Sequence, residues 1–351
     1  MSVRFPDIVS NLILIEQIIN PIIFPGPFSS MKSKLYVLIS GIILAALVVI
    51  SGCGRDSDAV VVDFKKTIAV ERPESPIPEL ATFNVAVAAM ISPKETFGYY
   101  RQLLDYIGDK LGRDVQFVQR KTYGEINELL GIGQIDLAYI CSGPYAAGKE
   151  KYDFELVATP QVQNSRYYQS YLIVNKASQF KRLEDLRGRV FAFTDPESNT
   201  GKLVPTYWLF ENGEQPETYF SKTIYTYSHD NSILAVAKGL VDGAAVDSLI
   251  WEYYNQKDPA FTSRTRIIRK SEPYGIPPIV ASKFLSFELK DRIRQLFFDM
   301  HLDPRGKKIL KELMIDRFLE PRDEWYDSIR QMDLKIAQMG KKKSEISNPK
   351  K

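Results

Sequence analysis

Val190-Phe-Ala-Phe-Thr-Asp-Pro-Glu-Ser-Asn-Thr-Gly-Lys-Leu-Val-Pro205 is the stretch on which the fold turns. A β-branched and aromatic run, Val190 to Phe193, ends in a turn of small and hydroxylated residues, Ser198, Asn199, Thr200 and Gly201. An apolar-periodic run through Leu203, Tyr207 and Leu209 follows. The order is strand, turn, helix. Several backbone N–H groups at such a helix start can face one anion, with the helix dipole adding favourable charge, although a Ser/Thr/Gly helix start is more often a plain N-cap. A lone His229 lies downstream, and Asp247 closes a second apolar strand. Together they read as a pocket for a small oxyanion.

The same alternation extends outward. Phe83–Ala89, a helix over Glu95–Leu111, Val115–Gln119, a helix over Tyr123–Leu130 and Leu137–Cys141 spell an α/β pattern with a parallel sheet. After a strand pair at Leu156–Val162 and Tyr168–Asn175, the pattern begins again with Val190–Phe193, the helix after Thr200, Thr223–Tyr227, a helix over Ser232–Gly239 and Gly243–Val246. An echo supports two lobes of one design: Gly133-x-x-Asp136-x-Ala138 and Gly239-x-x-Asp242-x-Ala244 each follow an amphipathic helix and precede a short apolar strand. Gly can end the helix in a left-handed cap, and Asp can hold the turn into the strand. The segment with strands at Arg264–Arg269 and Ile276–Ala281 and helices at Glu288–Met300 and Arg305–Met314 has too few strands for a domain of its own. It returns to complete the first lobe. Lobe 1 is then 81–174 plus 274–340 and lobe 2 is 175–273, with hinge crossings near Val174 and near Pro273–Pro277. Ligands of open α/β sheets sit at the carboxyl ends of strands, where Tyr123, Ser142, Ser198 and Asp247 fall.

The start of the chain carries a different signal. Leu35 to Ile50 is an uncharged run of 16 residues, preceded by Lys32 and Lys34 and followed by Ser51-Gly52-Cys53. A membrane span needs about 20 residues, so a removed secretory signal with a lipoprotein box fits better than a signal anchor. Met31 is the expected start, with 1–30 translated upstream sequence, 31–52 the signal peptide, Cys53 the lipidated residue and 53–80 a tether. Of the two cysteines, Cys141 is then without a partner and reads as a buried, inert thiol. With two histidines and no Cys cluster, no metal and no cofactor is expected. Removing residues 1–52 takes Arg4, Lys32, Lys34, Asp7 and Glu16 from 46 basic and 43 acidic residues and leaves a net charge of +2. That near-neutral balance carries no footprint for nucleic acid, and the basic residues Lys341 to Lys343 sit in a polar tail, 341–351, read as disordered.

Four ordered blocks resemble the phosphonate, phosphite and phosphate substrate-binding proteins of ABC transporters: Asp195–Pro205, Ser228-His-Asp-Asn-Ser-Ile-Leu-Ala-Val-Ala237, Val241-Asp-Gly-Ala-Ala-Val-Asp247 and Cys141-Ser-Gly-Pro-Tyr145. The resemblance covers about Ala81 to Leu319. It implies a two-lobe periplasmic-binding-protein fold with a hinge and an interlobe cleft, a monomer that closes on a small phosphorus oxyanion and delivers it to a membrane permease. The family's Ser-Thr-Ser anion turn falls on Ser198, Asn199 and Thr200, its cleft histidine on His229, its carboxylate on Asp247, and a first-lobe tyrosine on Tyr123. Asn199 departs from the usual hydroxyl residue. Tyr145 and Ser142 are further candidates, and Asn231 can cap the helix at Ser232.

A carboxylate beside a dianion repels it, so Asp247 is expected to accept a hydrogen bond from a protonated ligand oxygen or to pair with a ligand amino group. The plain alternatives are a helix cap before Leu249 for Asp247 and packed core roles for His229 and Tyr123. Ser198, His229 and Asp247 also name the residue types of a hydrolase triad, but Gly-x-Ser-x-Gly is missing around Ser198, which argues against an enzyme. A sensory lipoprotein signalling to a membrane receptor uses the same cleft, and the residues do not separate it from a transporter component.

Overall fold

Two sheets, each grown around a β-α-β-α-β unit, carry the chain in this computed structural model, which describes residues 82–347. The expectations for 1–30, the signal peptide, Cys53 and the tether lie outside the described residues. In the first unit β1 (Phe83–Val87), α1 (Pro93–Leu111), β2 (Val115–Val118), α2 (Tyr123–Gly131) and β3 (Leu137–Tyr139) set β1 in parallel pairing between β2 and β3. Next come α3 (Ser142–Tyr152), β4 (Glu155–Gln161), β5 (Tyr167–Tyr168) and β6 (Ser170–Asn175). The second unit runs through β7 (Val190–Phe193), a π-helical turn (Asn199–Leu203), α4 (Val204–Phe210), α5 (Pro216–Tyr219), β8 (Lys222–Tyr225), α6 (His229–Ala237) and β9 (Gly243–Asp247). It sets β7 in parallel pairing between β8 and β9. The rest is α7 (Ser248–Lys257), β10 (Thr265–Lys270), β11 (Tyr274–Gly275), β12 (Ile279–Ala281), α8 (Phe287–Asp299), α9 (Pro304–Glu312), β13 (Arg317–Leu319) and α10 (Asp327–Ser347).

The sheet orders are β13-β4-β12-β3-β1-β2 and β10-β6-β9-β7-β8. In both, an antiparallel strand covers the third strand of the unit: β12 lies on β3 and β6 on β9. The sequence echo sits at the same place in each. Gly133 and Gly239 have φ of 77° and 69°, the left-handed conformation that ends a helix cheaply only at glycine. The carboxylate of Asp136 then accepts the Asn84 N–H at 2.8 Å while the Asp136 N–H reaches the Asn84 carbonyl at 2.9 Å. Asp242 makes the same pair of bonds to Val190, at 2.8 and 2.9 Å. One Asp in each lobe clamps the third strand of the unit to its first.

The paired strand at Tyr168–Asn175 is a correction. Two apolar runs separated by residues 163–167 read as a strand pair, and a turn does form between them, with Gln163 and Asn164 at φ of 51° and 59°. The second run instead leaves the first sheet. β6 is buried along five of its six residues and pairs with β9 and β10, so the chain crosses between sheets over 162–169 rather than near Val174. β10 likewise stays with the second sheet before the return crossing. The two crossing segments meet as a small antiparallel ribbon, Tyr168 against Tyr274 and Tyr167 against Gly275. The structure also adds α3, which the sequence reading left without a helix, and carries α10 through the basic run Lys341–Lys343, so 341–347 is helical rather than a disordered tail.

Asp136→Ala and Asp242→Ala should each lower the unfolding free energy by about 1–2 kcal/mol by leaving a strand N–H unpaired. Since the two clamps lie in different sheets, the double variant should lose the sum of the two. Urea titration followed by circular dichroism reads this out, and a double variant no weaker than either single one would contradict the duplicated clamp.

Candidate functional site

The carboxyl ends of all six parallel strands open onto one region. From the first lobe come the Ala88–Met90 loop after β1, the start of α2 at Tyr123 and the start of α3 at Ser142; from the second come the Thr194–Gly201 turn, the start of α6 at His229, and Asp247. Apart from the Ala88–Met90 loop, which leads to the Ser92 cap of α1, each place holds a helix N-terminus or the residue before one, because the strand that runs into the cleft turns directly into the helix that leads away.

Ser198 is the N-cap of the π turn, its Oγ accepting the Gly201 N–H at 3.0 Å. The Ser198 N–H is committed to the Asp195 carbonyl at 3.1 Å. Two amides of the expected anion cradle are therefore used internally, and the plain-cap account of Ser198 holds in this structure. Side chains remain. Asn199 Nδ2 donates to the Tyr168 hydroxyl at 3.2 Å, and Tyr168 in turn shares a very short bond with Ser142 Oγ. The Tyr123 hydroxyl, Thr200 Oγ1, Asn199 Oδ1 and His229 Nε2 are buried and have no protein partner. Asn231 does not cap α6; Ser228 does, by accepting the Asn231 N–H at 3.4 Å.

The tautomer of His229 follows from its neighbour. The Asp247 N–H, which can only donate, reaches His229 Nδ1 at 3.0 Å, and the Thr194 hydroxyl lies 3.2 Å from the same nitrogen. Nδ1 is therefore an acceptor, and the proton of the neutral ring sits on Nε2, a donor with nothing in the protein to receive it. Burial pushes the imidazole down to about 3, so the ring is neutral across the physiological range.

Asp247 caps α7. Its Oδ1 accepts the N–H of Leu249 at 2.7 Å and of Ile250 at 3.3 Å. Burial raises this carboxyl to about 7; the two helix amides offset part of that, and among the described residues no cation does. Tyr100, Tyr123, Tyr139 and Tyr168 all lie within electrostatic reach of it, each with its phenol pushed up by burial first. Cys141 is fully buried, and its thiol is pushed up to about 11 by burial.

Tyr145 is not brought to this cluster. Its hydroxyl donates to Asp323 Oδ1 at 2.6 Å, and its ring packs edge-on to Tyr326 with centroids 4.6 Å apart. Three residues that sequence reasoning missed belong here. Tyr168 and Thr194 are bonded as above, and Asp195, buried in the turn after β7, accepts the Tyr123 N–H from the other lobe through Oδ2 at 3.2 Å and the Glu197 N–H through Oδ1 at 2.9 Å. Position after the strand would have found Asp195; nothing in the sequence marks Tyr168.

The lobes touch elsewhere too. The Ser92 N–H donates to Asp230 Oδ1 at 2.9 Å, the His229 N–H to the Met90 carbonyl at 2.9 Å, and Lys121 Nζ stands 4.1 Å over the Tyr227 ring. At Gly143 the contact is backbone to backbone: a Cβ there would lie 2.4 Å from the Glu197 carbonyl and 2.8 Å from the Asn199 nitrogen. These contacts join the two lobes across the cleft.

Fold and site thus define a solute-binding protein with strand ends gathered around a cleft between two lobes. Residues 85–326 match the family described as ABC transporter, phosphonate, periplasmic substrate-binding protein. The chain belongs to that family. It is 28% identical over 270 residues to the phosphonates-binding periplasmic protein of Escherichia coli (strain K12), covering 76% of this chain and 80% of that one. It is 26% identical over 230 residues to the phosphate-import protein PhnD of Mycolicibacterium smegmatis, covering 62% and 71%. Among solved structures, a binding protein component of an ABC phosphonate transporter from Pseudomonas aeruginosa superposes with a TM-score of 0.71 at 25% identity over 74% of this chain and 88% of that one. PhnD1 from Prochlorococcus marinus in complex with methylphosphonate shares the fold, with a TM-score of 0.66 at 19% identity over 73% and 98%. The family is one of binding proteins, not of enzymes.

The buried pair sets a pH signature. Folding takes up a proton at Asp247, whose carboxyl rises from the ordinary carboxylate range to about 7, and expels one from His229, which falls from about 6.5 to about 3. Between about pH 4 and pH 6.5 the two slopes cancel. His229→Gln should uncover the Asp247 part, stabilising near pH 4 and lost as pH rises to 7. Asp247→Asn should uncover the His229 part, present above pH 6.5 and lost as pH falls. Each slope, taken against the parent protein, is at most about 1.4 kcal/mol per pH unit. Thermal melting from pH 4 to 8 measures it; parallel profiles for all three proteins would refute the assignment.

Proposed function

We propose that this protein captures a small phosphorus oxyanion, as phosphonate, phosphite or phosphate, and presents it to the permease of an ABC transporter. One observation carries the proposal: four buried polar atoms, Tyr123 Oη, Thr200 Oγ1, Asn199 Oδ1 and His229 Nε2, have no protein partner, and all belong to the residues that follow the strand ends where Asp247 also lies. Leaving each unpaired costs about 1–3 kcal/mol, so a cluster of them at the closing surface calls for a guest. In this reading Tyr123, Thr200 and His229 donate to ligand oxygens, while Ser142, Ser198, Asn199 and Gly201 hold the donors in place. The donors named are neutral. Asp247, poised near neutrality, accepts from a P–OH group, so the site prefers a singly protonated ligand to a dianion.

Isothermal calorimetry with phosphate, phosphite, hypophosphite, methylphosphonate and aminoethylphosphonate tests the reading. Tyr123→Phe and His229→Phe should each weaken the best ligand about 10- to 100-fold, the worth of a hydrogen bond to a charged group. Asp247→Asn should shift preference toward the dianion between pH 6 and 8. No heat with any of the five compounds would end the proposal.

Cys53 is proposed as the lipid-bearing residue that keeps the mature chain at the membrane, on the strength of the Leu35–Ile50 run that ends at Ser51-Gly52-Cys53. Cys53→Ser should move the protein from the membrane pellet to the soluble fraction and abolish labelling by radioactive palmitate. Unchanged labelling would exclude Cys53.

A further inference from the structure

Beside the polar cluster, a second space opens between the lobes. It is a cavity of about 250 Å³, walled by Tyr100 and Tyr139 from the first lobe, Tyr168 from the crossing, Leu249 and Tyr253 from α7, and Leu313 beyond α9. The cavity and the cluster share a boundary. Tyr168 bonds Ser142 and Asn199 through its hydroxyl while the residue also lines the cavity, and Asp247 caps the helix amides of Leu249 and Ile250, two further lining residues. Tyr100 and Tyr139 also feel the Asp247 carboxyl.

Aromatic and aliphatic side chains share the walls with Gln163, Ser165, Gln169 and Ser248, and among the described residues that line the space there is no lysine or arginine. Glu252 is the carboxylate in the wall, and it accepts from the Tyr171 hydroxyl at 3.2 Å. Such a chamber repels a second phosphate and suits uncharged carbon. At about 30 Å³ for each water-sized atom group, it holds about eight non-hydrogen atoms, well beyond a methyl group.

We propose that this cavity receives an apolar organic substituent carried on phosphorus, so that the protein selects organophosphonates with an aryl or extended alkyl group over the small inorganic oxyanions. The proposal rests on the phosphorus-oxyanion reading above. Burying the substituent adds affinity in proportion to apolar area, and Asp247 remains with the polar head.

Calorimetry of the parent protein with methyl-, propyl- and benzylphosphonate at one pH reads the effect. Benzylphosphonate should bind about 10-fold or more tightly than methylphosphonate, with propylphosphonate between, as expected for about 1.4 kcal/mol or more from ring burial. Leu313→Trp, which fills the chamber from its first-lobe wall, should remove that advantage and leave methylphosphonate within about threefold. Leu249→Trp, on another wall, supplies a second filled variant should the first fold poorly. A flat or inverted series in the parent, or equal losses for both ligands in the filled variants, overturns the proposal, as does tighter binding of aminoethylphosphonate than of propylphosphonate. If benzylphosphonate binds and its binding survives His229→Phe and Tyr123→Phe, the oxyanion reading falls while the cavity assignment stands; if none of the phosphonates binds, both fall.

Discussion

Helix ends need acceptors, and in this protein two of the first lobe's helices find one each on the second lobe. The N–H of Tyr123, at the start of α2, is taken by Asp195; the N–H of Ser92, the N-cap of α1, is taken by Asp230. Ser92 offers α1 no side-chain cap of its own. A carboxylate at a helix start is favoured both by the orphan amides and by the dipole. The two lobes are thus joined by bonds from helix starts on one to carboxylates on the other, beside the gathered strand ends.

The interior of the cleft follows a different rule. Its donors are neutral, and its one strongly perturbed acid lies among four phenols. A lysine at this place would attract any anion indiscriminately. Neutral donors held rigid by second contacts, as Thr194 and Asp247 hold the His229 ring, discriminate by direction and by where the ligand keeps its proton.

Much of this was legible in the residues. The alternation of period-2 and period-3.6 runs gave both β-α-β-α-β units, and Gly133/Asp136 with Gly239/Asp242 marked their duplicated corners, because helix end, turn and strand entry are local events. Pairing over long range was not legible: β6 looked like a hairpin partner of β4 because both are short apolar runs, and only the sheet into which it is buried tells otherwise. At the site, the residues at strand ends were found by position, and His229, Tyr123 and Asp247 do converge. Tyr145 was misplaced because a tyrosine one helical turn into α3 faces the core and Asp323 rather than the cleft. Tyr168 was missed because it belongs to a crossing segment, whose direction depends on both lobes at once.

Gly143 lets the two lobes meet main chain to main chain. Where the two halves meet there, main chain abuts main chain with only a hydrogen atom interposed. The approach of the halves is therefore permitted by a side chain that is missing, and a residue with even one carbon at this place would act as a wedge, pushing the Glu197 carbonyl and the Asn199 nitrogen away.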